Sequence, residues 1–165
     1  MDASVRRAMA RWPDVPAVYG WLALDRRGNW LLQDSAGGGF GRIGNAMLRD
    51  FIARNYAHDE RGCWYFQNGP QRVFVALAYT PLVLRYEGET LVDHCGRPVR
   101  ARATFVDEEG SVLIEDERGV GLLDDRDLAL FAARLGDNWR ALPEVASHAV
   151  AARFGFVATP SHSLR

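Results

Sequence analysis

The first apolar residues of the chain share one face of a predicted helix. They stand at intervals of one and three residues: Val5, Ala8, Met9 and Trp12. This spacing is typical of a short helix that docks on a core through one face. Prolines at positions 13 and 16 then interrupt regular structure. We therefore predict an N-terminal helix and linker over residues 1–16.

Helical spacing recurs at three later places. Residues 45–55 carry one apolar face, and Asn45 suits the N-cap. That face is formed by Met47, Leu48, Phe51 and Ile52. A second helix is predicted over residues 126–135, with Asp124 or Asp125 as its cap. A last helix is predicted to begin at Pro143, within a C-terminal helix and tail over residues 136–165.

Between these helices, short apolar runs alternate with glycine, proline and aspartate, which is typical of strands in hairpins. Four hairpins are predicted, and a short run at 120–123 follows the last of them. The paired segments are 17–25 with 29–34, 63–68 with 71–80, 81–87 with 89–94, and 97–107 with 111–116. The pattern therefore predicts an α+β fold with a mainly antiparallel sheet, a repeated ββα unit and flanking helices.

One four-residue pattern marks several of the predicted turns. Asp-Glu-Arg-Gly occurs at 59–62 and at 116–119, and looser Asp-x-x-Gly copies stand at 25–28 and 107–110. At the first position of a type I turn, aspartate can accept bonds from backbone N–H groups two and three residues later. Glycine at the fourth position can adopt the left-handed conformation of a G1 bulge. We interpret the pattern as hairpin turns rather than ligand loops.

Two of these turns stand in similar surroundings. Strand, turn, strand, loop and capped helix follow one another in residues 20–56 and again in residues 102–135. The best-matched pairs are Asp25 with Asp107, Gly28 with Gly110, Leu48 with Leu128, and Phe51 with Phe131. We therefore predict a ββα unit used twice. The two copies belong to one compact domain over residues 17–135, with the strands of residues 63–93 between them.

Composition limits the classes of protein. The chain has 165 residues, of which 48% are hydrophobic, so it can form a substantial core. Its net charge of −1 argues against nucleic-acid binding. No apolar run approaches the roughly 18 residues of a membrane span, and no signal peptide is evident. Its 2 cysteines do not form a disulfide framework. We predict a bacterial cytoplasmic protein with no nucleic-acid or membrane partner.

The order of several residues resembles a known family. It runs through Trp30, Ile43, Asn45, Leu48, Phe51, Asp59, Gly62, Trp64, Pro70, Val73, Val75 and Pro81. This succession resembles the bacterial domain of unknown function 1285, or a related proteobacterial family of uncharacterised proteins, over roughly residues 20–135. The chain departs from that family at 68–72 and at 80–82. The resemblance implies a fold with repeated α+β motifs and a ligand-binding or signalling role. It implies no catalytic residues.

The run Asp93-His94-Cys95 is the main candidate for chemistry. A histidine beside a cysteine could activate a thiolate, and Cys63 and His58 could add metal ligands. Neighbouring residues on a strand point to opposite faces, so His94 could not act on Cys95 there. No Cys-x-x-Cys or His-x-x-x-His spacing occurs. We interpret these residues as structural, and we predict no metal, no cofactor and no catalytic residues.

Serine and glycine motifs are weaker candidates. No Gly-x-Ser-x-Gly sequence occurs, and the serines considered lie in loop, turn or terminal positions: Ser35, Ser111, Ser147 and Ser161. The spacing of Gly39, Gly41 and Gly44 before a helix resembles a dinucleotide fingerprint, but a hairpin surrounds it rather than a parallel βαβ unit. A mobile loop is favoured. An anion at the helix start, around Gly44 and Asn45, stays open.

The segment of residues 64–79 concentrates aromatic and amide side chains. Alternation places Trp64 and Phe66 on one side and Tyr65 on the other. Such a surface could receive a small molecule or a peptide. The alternative, a hairpin with one buried face and a polar turn, is favoured by the residues alone. The candidate ligand-binding residues are Trp64, Phe66, Gln67, Asn68, Gln71, Arg72, Arg54 and Tyr56.

Three functions follow, in this order. The first is a non-enzymatic module that binds a small molecule or a peptide, or that acts in signalling, through a groove between the two ββα copies. The second is a protein-interaction or homodimerisation module that uses an open strand edge. The third is an enzyme that uses Asp93, His94 and Cys95.

Overall fold

The computed structural model describes residues 1–34 and 38–162. The chain divides into two compact units. Unit 1 comprises residues 1–25, 29–78 and 155 onward, and unit 2 comprises residues 26–28 and 79–154. Both combine helices with mostly antiparallel strands. The predicted α+β class is therefore confirmed.

Unit 1 is built on one sheet. Its elements are α1 (Ala3–Arg11), β1 (Val18–Leu24), β2 (Trp30–Gln33), β3 (Phe40–Arg42), α2 (Ala46–Arg54), β4 (Tyr56–His58), β5 (Trp64–Asn68) and β6 (Gln71–Leu77). The strand order is β3-β2-β1-β6-β5-β4. Strands β1 and β6 are parallel, and the other neighbours are antiparallel.

The helices of unit 1 follow the predicted pattern. Helix α2 begins after Asn45, whose side chain accepts a hydrogen bond from the Leu48 N–H at 3.0 Å. This bond satisfies one of the N–H groups that a helix start leaves without a partner. Ile52 of α2 and Val5 of α1 are buried. The two helices predicted before residue 60 are therefore confirmed.

Both faces of the unit 1 sheet are covered. An aromatic cluster lies on the α2 side, where the ring of Tyr56 is 4.9 Å from that of Trp30 and 4.8 Å from that of Trp64. The other face holds Cys63, Tyr65 and Phe74. The C-terminal segment lies beside this second cluster, since Val157 donates its N–H to the Gly62 carbonyl at 3.0 Å. Strand β5 is therefore buried on two sides.

Unit 2 is built on a second sheet. Its elements are β7 (Leu82–Glu87), β8 (Thr90–Asp93), β9 (Ala103–Val106), β10 (Val112–Asp116), β11 (Gly119–Leu123), α3 (Leu128–Leu135) and α4 (Val150–Phe154), with short 3-10 helices at Asp125–Asp127, Gly136–Ala141 and Ser147–Ala149. The strand order is β8-β7-β11-β10-β9. Strands β7 and β11 are parallel, and the other neighbours are antiparallel.

The two sheets share a connection pattern. In each, the first strand lies parallel to the last: β1 beside β6, and β7 beside β11. A three-strand meander, β1–β2–β3, opens the first sheet, and the hairpin β7–β8 opens the second. A three-strand meander closes both sheets. This pattern matches β1–β2 with β7–β8, whereas the predicted ββα repeat matches β1–β2 with β9–β10. The repeat and its domain boundaries stay predictions.

The elements differ from the predicted ones at several places. The third predicted helix starts as the 3-10 helix Asp125–Asp127, where Asp124 accepts the Arg126 N–H, and α3 follows from Leu128. The three-residue strands β3 and β4 were not predicted, because they are too short to show alternation. The last helix begins at Val150 rather than at Pro143. Residues 143–145 instead run beside β9, where the Val106 N–H donates to the Pro143 carbonyl and the Val145 N–H donates to the Val106 carbonyl. Ser35, part of the predicted glycine loop and the last three residues of the tail lie outside the described residues.

Within the described ranges, no helix has the length and apolar character needed to cross a membrane.

Candidate functional site

The Asp-x-x-Gly turns have a common geometry. In the first Asp-Glu-Arg-Gly copy, Asp59 Oδ1 accepts the N–H groups of Arg61 and Cys63, both at 3.0 Å. Gly62 donates its N–H to the Asp59 carbonyl and has a φ of 75°. The second side-chain bond therefore reaches four residues on, not the three that were predicted, because the N–H three residues on goes to the backbone. The same arrangement is formed by Asp107.

The second Asp-Glu-Arg-Gly copy, at residues 116–119, forms a different kind of turn. Asp116 and Gly119 are themselves partners in the β10–β11 ladder, so only two residues connect the strands. The predicted G1 bulge is wrong here, and Gly119 has a φ of 140°. Asp116 Oδ1 still accepts the Arg118 N–H at 2.8 Å.

The run Asp93-His94-Cys95, the candidate for chemistry, lies in a turn of the same kind as the turn at Asp59. Asp93 Oδ1 accepts the N–H groups of Cys95 and Arg97, both at 2.9 Å. Gly96 donates to the Asp93 carbonyl at 2.8 Å and has a φ of 77°. The spacing of Asp93 and Gly96 in the sequence is the signal that identifies this turn.

The Asp93 carboxylate is fully buried in a network of charges. Its Oδ2 accepts from Arg97 Nε at 2.8 Å and from Arg118 Nη1 at 3.0 Å. Arg118 also donates to Asp116 Oδ2 at 2.6 Å and to the Pro98 carbonyl at 2.8 Å. Asp93 therefore links its own turn to the turn at residues 116–119, and two arginines already occupy its carboxylate.

His94 and Cys95 lie in this turn rather than on a strand, and their side chains meet. His94 Nε2 is 3.6 Å from Cys95 Sγ, so the argument from strand alternation, which required both residues to lie in a strand, does not apply. His94 Nδ1 accepts the Val83 N–H at 3.2 Å. In the neutral imidazole the proton is therefore on Nε2, which faces the sulfur as a donor and not as a base. Burial raises the pKa of Cys95 to about 12.

We expect Cys95 to resist alkylation in the folded protein. With a pKa of about 12 instead of the usual 9.0, its thiolate fraction at pH 8 is about a thousandfold smaller. Iodoacetamide labelling at pH 8, followed by peptide mass spectrometry, should modify Cys95 far more slowly in the native protein than in urea. Equal rates in the two states would contradict this geometry.

The same shift predicts a pH dependence of stability. Because the folded-state pKa lies above the unfolded one, the contribution is fully present below about pH 9 and is lost as pH rises towards about 12. The Cys95→Ser variant should lack this component of the decline when urea unfolding is measured across that range.

A large apolar cleft lies in unit 1, between α2 and the sheet. It has a volume of about 410 Å³, within the range of about 300–1,000 Å³ typical of small-molecule sites. Nine apolar residues and two amides line it: Val18, Trp21, Leu22, Leu32, Ile43, Leu48, Ile52, Phe66, Val73, Asn68 and Gln71. We call this the apolar cleft.

Three apolar side chains at the apolar cleft are exposed. Trp21 is 53% exposed, Leu32 is 44% exposed and Leu48 is 38% exposed, which is unusual for large apolar residues that face one concavity. At another part of the lining, Gln71 donates Nε2 to the Pro16 carbonyl at 3.1 Å, which leaves its Oε1 available as an acceptor. The apolar cleft therefore combines apolar walls with amide hydrogen-bonding groups.

A bulge in β1 explains why two adjacent residues line the apolar cleft. Trp21 and Leu22 both line it, although neighbours on a regular strand point to opposite faces. The register of β1 against β6 shifts between Val18 and Leu22, and Gly20 has a φ of 76°. Such a bulge turns a side chain out of the alternating pattern. The sequence gives only a weak signal of it, a glycine within an apolar run.

The predicted ligand-binding residues fall into separate places. Trp64 and Tyr56 are core residues of the aromatic cluster, and Arg54 pairs with Asp2 at 3.3 Å. Three of the set line the apolar cleft: Phe66, Asn68 and Gln71. Gln67 and Arg72 line a different cleft, beside α1. The structure therefore does not gather the predicted set on one surface.

The glycine run has an antiparallel setting. Gly41 lies in β3, which pairs with β2 as a hairpin, so the fingerprint lacks the parallel βαβ unit it requires. The N–H of Leu48 at the start of α2 is capped by Asn45. The predicted hairpin around this segment is confirmed, whereas residues 40–42 form strand β3 and not the loop that was favoured.

One family model matches residues 1–161, which is almost the whole chain. The family is DUF2944, described as "Protein of unknown function (DUF2946)". No curated protein matches the sequence.

Two solved structures share the fold. One is a DUF1285 family protein from Silicibacter pomeroyi DSS-3, with 14% identity, a TM-score of 0.53, and coverage of 76% of this chain and 74% of that one. The other is a DUF1285 family protein from Shewanella baltica OS155, with 15% identity, a TM-score of 0.52, and coverage of 70% and 92%. The resemblance seen in the sequence is therefore confirmed at the level of fold.

Proposed function

We propose that this chain, which belongs to the DUF2944 family of proteins of unknown function, is a non-enzymatic module that binds a small molecule in the apolar cleft. The ligand has an apolar body and one polar end. The observation that carries this proposal is the cleft itself, which has a volume suitable for a small molecule and nine apolar lining residues. Unit 1 alone supplies every residue of this site.

The physical support comes from exposed apolar area. Removal of such area from water contributes about 25 cal/mol per Å² before the entropy cost of association is subtracted, and the open walls of the cleft offer this area to a ligand. Trp21 supplies a large flat surface at one side. Asn68 and Gln71 can hydrogen-bond a polar end, which would fix the direction in which the ligand lies.

Binding rather than catalysis is supported by the other candidate site. Asp93 is held by two arginines, and His94 presents a donor to a thiol whose pKa is raised. Neither group is arranged as a general base or a nucleophile. Both cysteines are free thiols, which supports the cytoplasm as the compartment.

A charge in the apolar cleft should weaken binding. In the Leu48→Glu variant, a carboxylate replaces an apolar wall and must be desolvated by any ligand. We expect the affinity for the fluorescent probe N-phenyl-1-naphthylamine to fall at least about tenfold, or 1.4 kcal/mol. Position 48 is the third residue of α2, where glutamate can bond back to the N-cap N–H. The variant should therefore fold as well as the wild type.

Met47→Glu is the matched control. It adds the same charge to the neighbouring residue, which is 78% exposed and does not line the cleft. Its probe affinity should equal that of the wild type. If Leu48→Glu and Met47→Glu bind the probe alike, or if wild-type binding does not saturate, the proposal fails.

Self-association beside the apolar cleft is the alternative, since β3 pairs with β2, whose Leu32 lines that cleft. Strand β3 is an edge of the sheet, and its Phe40 is exposed. An unpaired edge can add a strand from a second copy. Sedimentation equilibrium on the same proteins separates the two cases, since a dimer that Leu48→Glu disrupts and the probe dissociates would assign the cleft to a second copy.

A further inference from the structure

We propose that unit 1 carries a second binding site, beside α1, for a planar aromatic molecule with an N–H donor next to a carboxylate. This site, the Arg72 cleft, has a volume of about 430 Å³. It shares no lining residue with the apolar cleft. The inference goes beyond the proposed function and does not depend on it.

The walls of the Arg72 cleft come from two directions. Met9 and Trp12 lie on and just after α1, and Pro13 and Val15 follow in the linker. The β5–β6 hairpin supplies the remaining part, which includes Pro70. Trp12 is 51% exposed and offers a ring face for stacking. These walls suit a flat apolar ring.

Gln67 supplies an acceptor that lacks a donor. The residue is 1% exposed and its Nε2 donates to the Gly69 carbonyl at 2.9 Å. Its Oε1 is buried and has no hydrogen-bond partner among the described residues. A buried acceptor without a partner is costly, and such groups often mark where a ligand or a water belongs. An N–H donor would satisfy it.

Arg72 is the only charged residue among the described residues that line this cleft. Its guanidinium lies over the Tyr65 ring at 4.7 Å, and it forms no ion pair with a described residue. A guanidinium binds a carboxylate through two parallel hydrogen bonds. A carboxylate on the ligand can therefore form an ion pair with Arg72.

The two groups stand side by side. Gln67 and Arg72 are direct partners in the antiparallel β5–β6 pair. Partners of this kind have Cβ atoms about 4.5–5.5 Å apart on the same face. A ligand that meets both groups should therefore carry its donor and its carboxylate close together. Indole-2-carboxylate has this arrangement, and benzofuran-2-carboxylate is the same shape without the N–H.

Calorimetric titration with these two probes tests the proposal on the wild-type chain. Indole-2-carboxylate should bind at least about tenfold more tightly than benzofuran-2-carboxylate, because only it satisfies Gln67 Oε1. In Gln67→Met the two probes should bind alike. Arg72→Gln should weaken both at least about tenfold, whereas Arg7→Gln, the same change on an exposed residue of α1 outside the cleft, should weaken neither.

The outcomes are distinct. Equal affinity of the wild type for the two probes, or no heat with either at millimolar concentration, overturns the proposal. An N–H preference that survives in Gln67→Met also overturns it. Failure of this proposal does not affect the proposal for the apolar cleft. Leu48→Glu and Met47→Glu should bind indole-2-carboxylate like the wild type, whereas their affinities for N-phenyl-1-naphthylamine should differ.

Discussion

The Asp93→Ala variant should lose about 3–5 kcal/mol of unfolding free energy, because it leaves a partly buried arginine without its counter-ion. Asp93 is fully buried and accepts four hydrogen bonds, two from backbone N–H groups and two from Arg97 and Arg118. Alanine removes all four acceptor interactions at once. Urea unfolding followed by far-ultraviolet circular dichroism measures the loss.

Asp107→Ala is the matched control in the same unit. Asp107 holds the same type of turn through the N–H groups of Glu109 and Ser111 and accepts a third bond from the Tyr79 hydroxyl. It has no arginine partner among the described residues. Its loss should be about 1–3 kcal/mol. If the two variants are equally stable, the charge network contributes nothing and our account of Asp93 is wrong.

The Gly62→Ala variant should be destabilised by about 3 kcal/mol or more, the range of substitutions that force the backbone apart. Gly62 has a φ of 75°, and a methyl group there would overlap the Gly155 carbonyl oxygen and lie 2.9 Å from Phe156 Cα. The C-terminal segment would have to move away and give up the bond from Val157 to Gly62. Limited proteolysis should then cleave this segment faster, and thermal unfolding should occur at a lower temperature.

Gly110→Ala is the control that separates the cost of backbone strain from the cost of steric overlap. Gly110 holds the same position of the same turn with a φ of 81°, and nothing lies within 4 Å of the added methyl group. Only the left-handed backbone conformation opposes alanine here, which costs about 1–2 kcal/mol. Equal losses at positions 62 and 110 would show that the C-terminal segment does not hold Gly62.

Local patterns in the sequence predict much of the fold. Helix α2 follows from apolar spacing and from Asn45, and the hairpins follow from aspartate and glycine at fixed offsets. The turn at Asp93 obeys the same rule but was not predicted as a turn, because His94 and Cys95 at its middle positions drew attention to possible chemistry. His94 and Cys95 are residues of this turn.

The candidate site was harder to predict because it depends on contacts between distant residues. Residues 64–67 of β5 are all buried, since both faces of the sheet are covered, and alternation then gives no contrast between inside and outside. Trp64 therefore looked like a surface residue. The parallel pairing of β1 with β6 and the bulge before Leu22 shape the apolar cleft, and neither leaves a periodic signal.

Fluorine NMR of the protein labelled with 5-fluorotryptophan tests ligand binding in the apolar cleft most directly. The chain has 5 tryptophans, of which Trp21 lines that cleft. Titration with N-phenyl-1-naphthylamine should shift the Trp21 resonance saturably, with Trp12 and Trp139 unchanged, and Leu48→Glu should abolish the shift. A Trp21 resonance that stays in place while the probe binds, or that shifts equally in Leu48→Glu, would contradict the account.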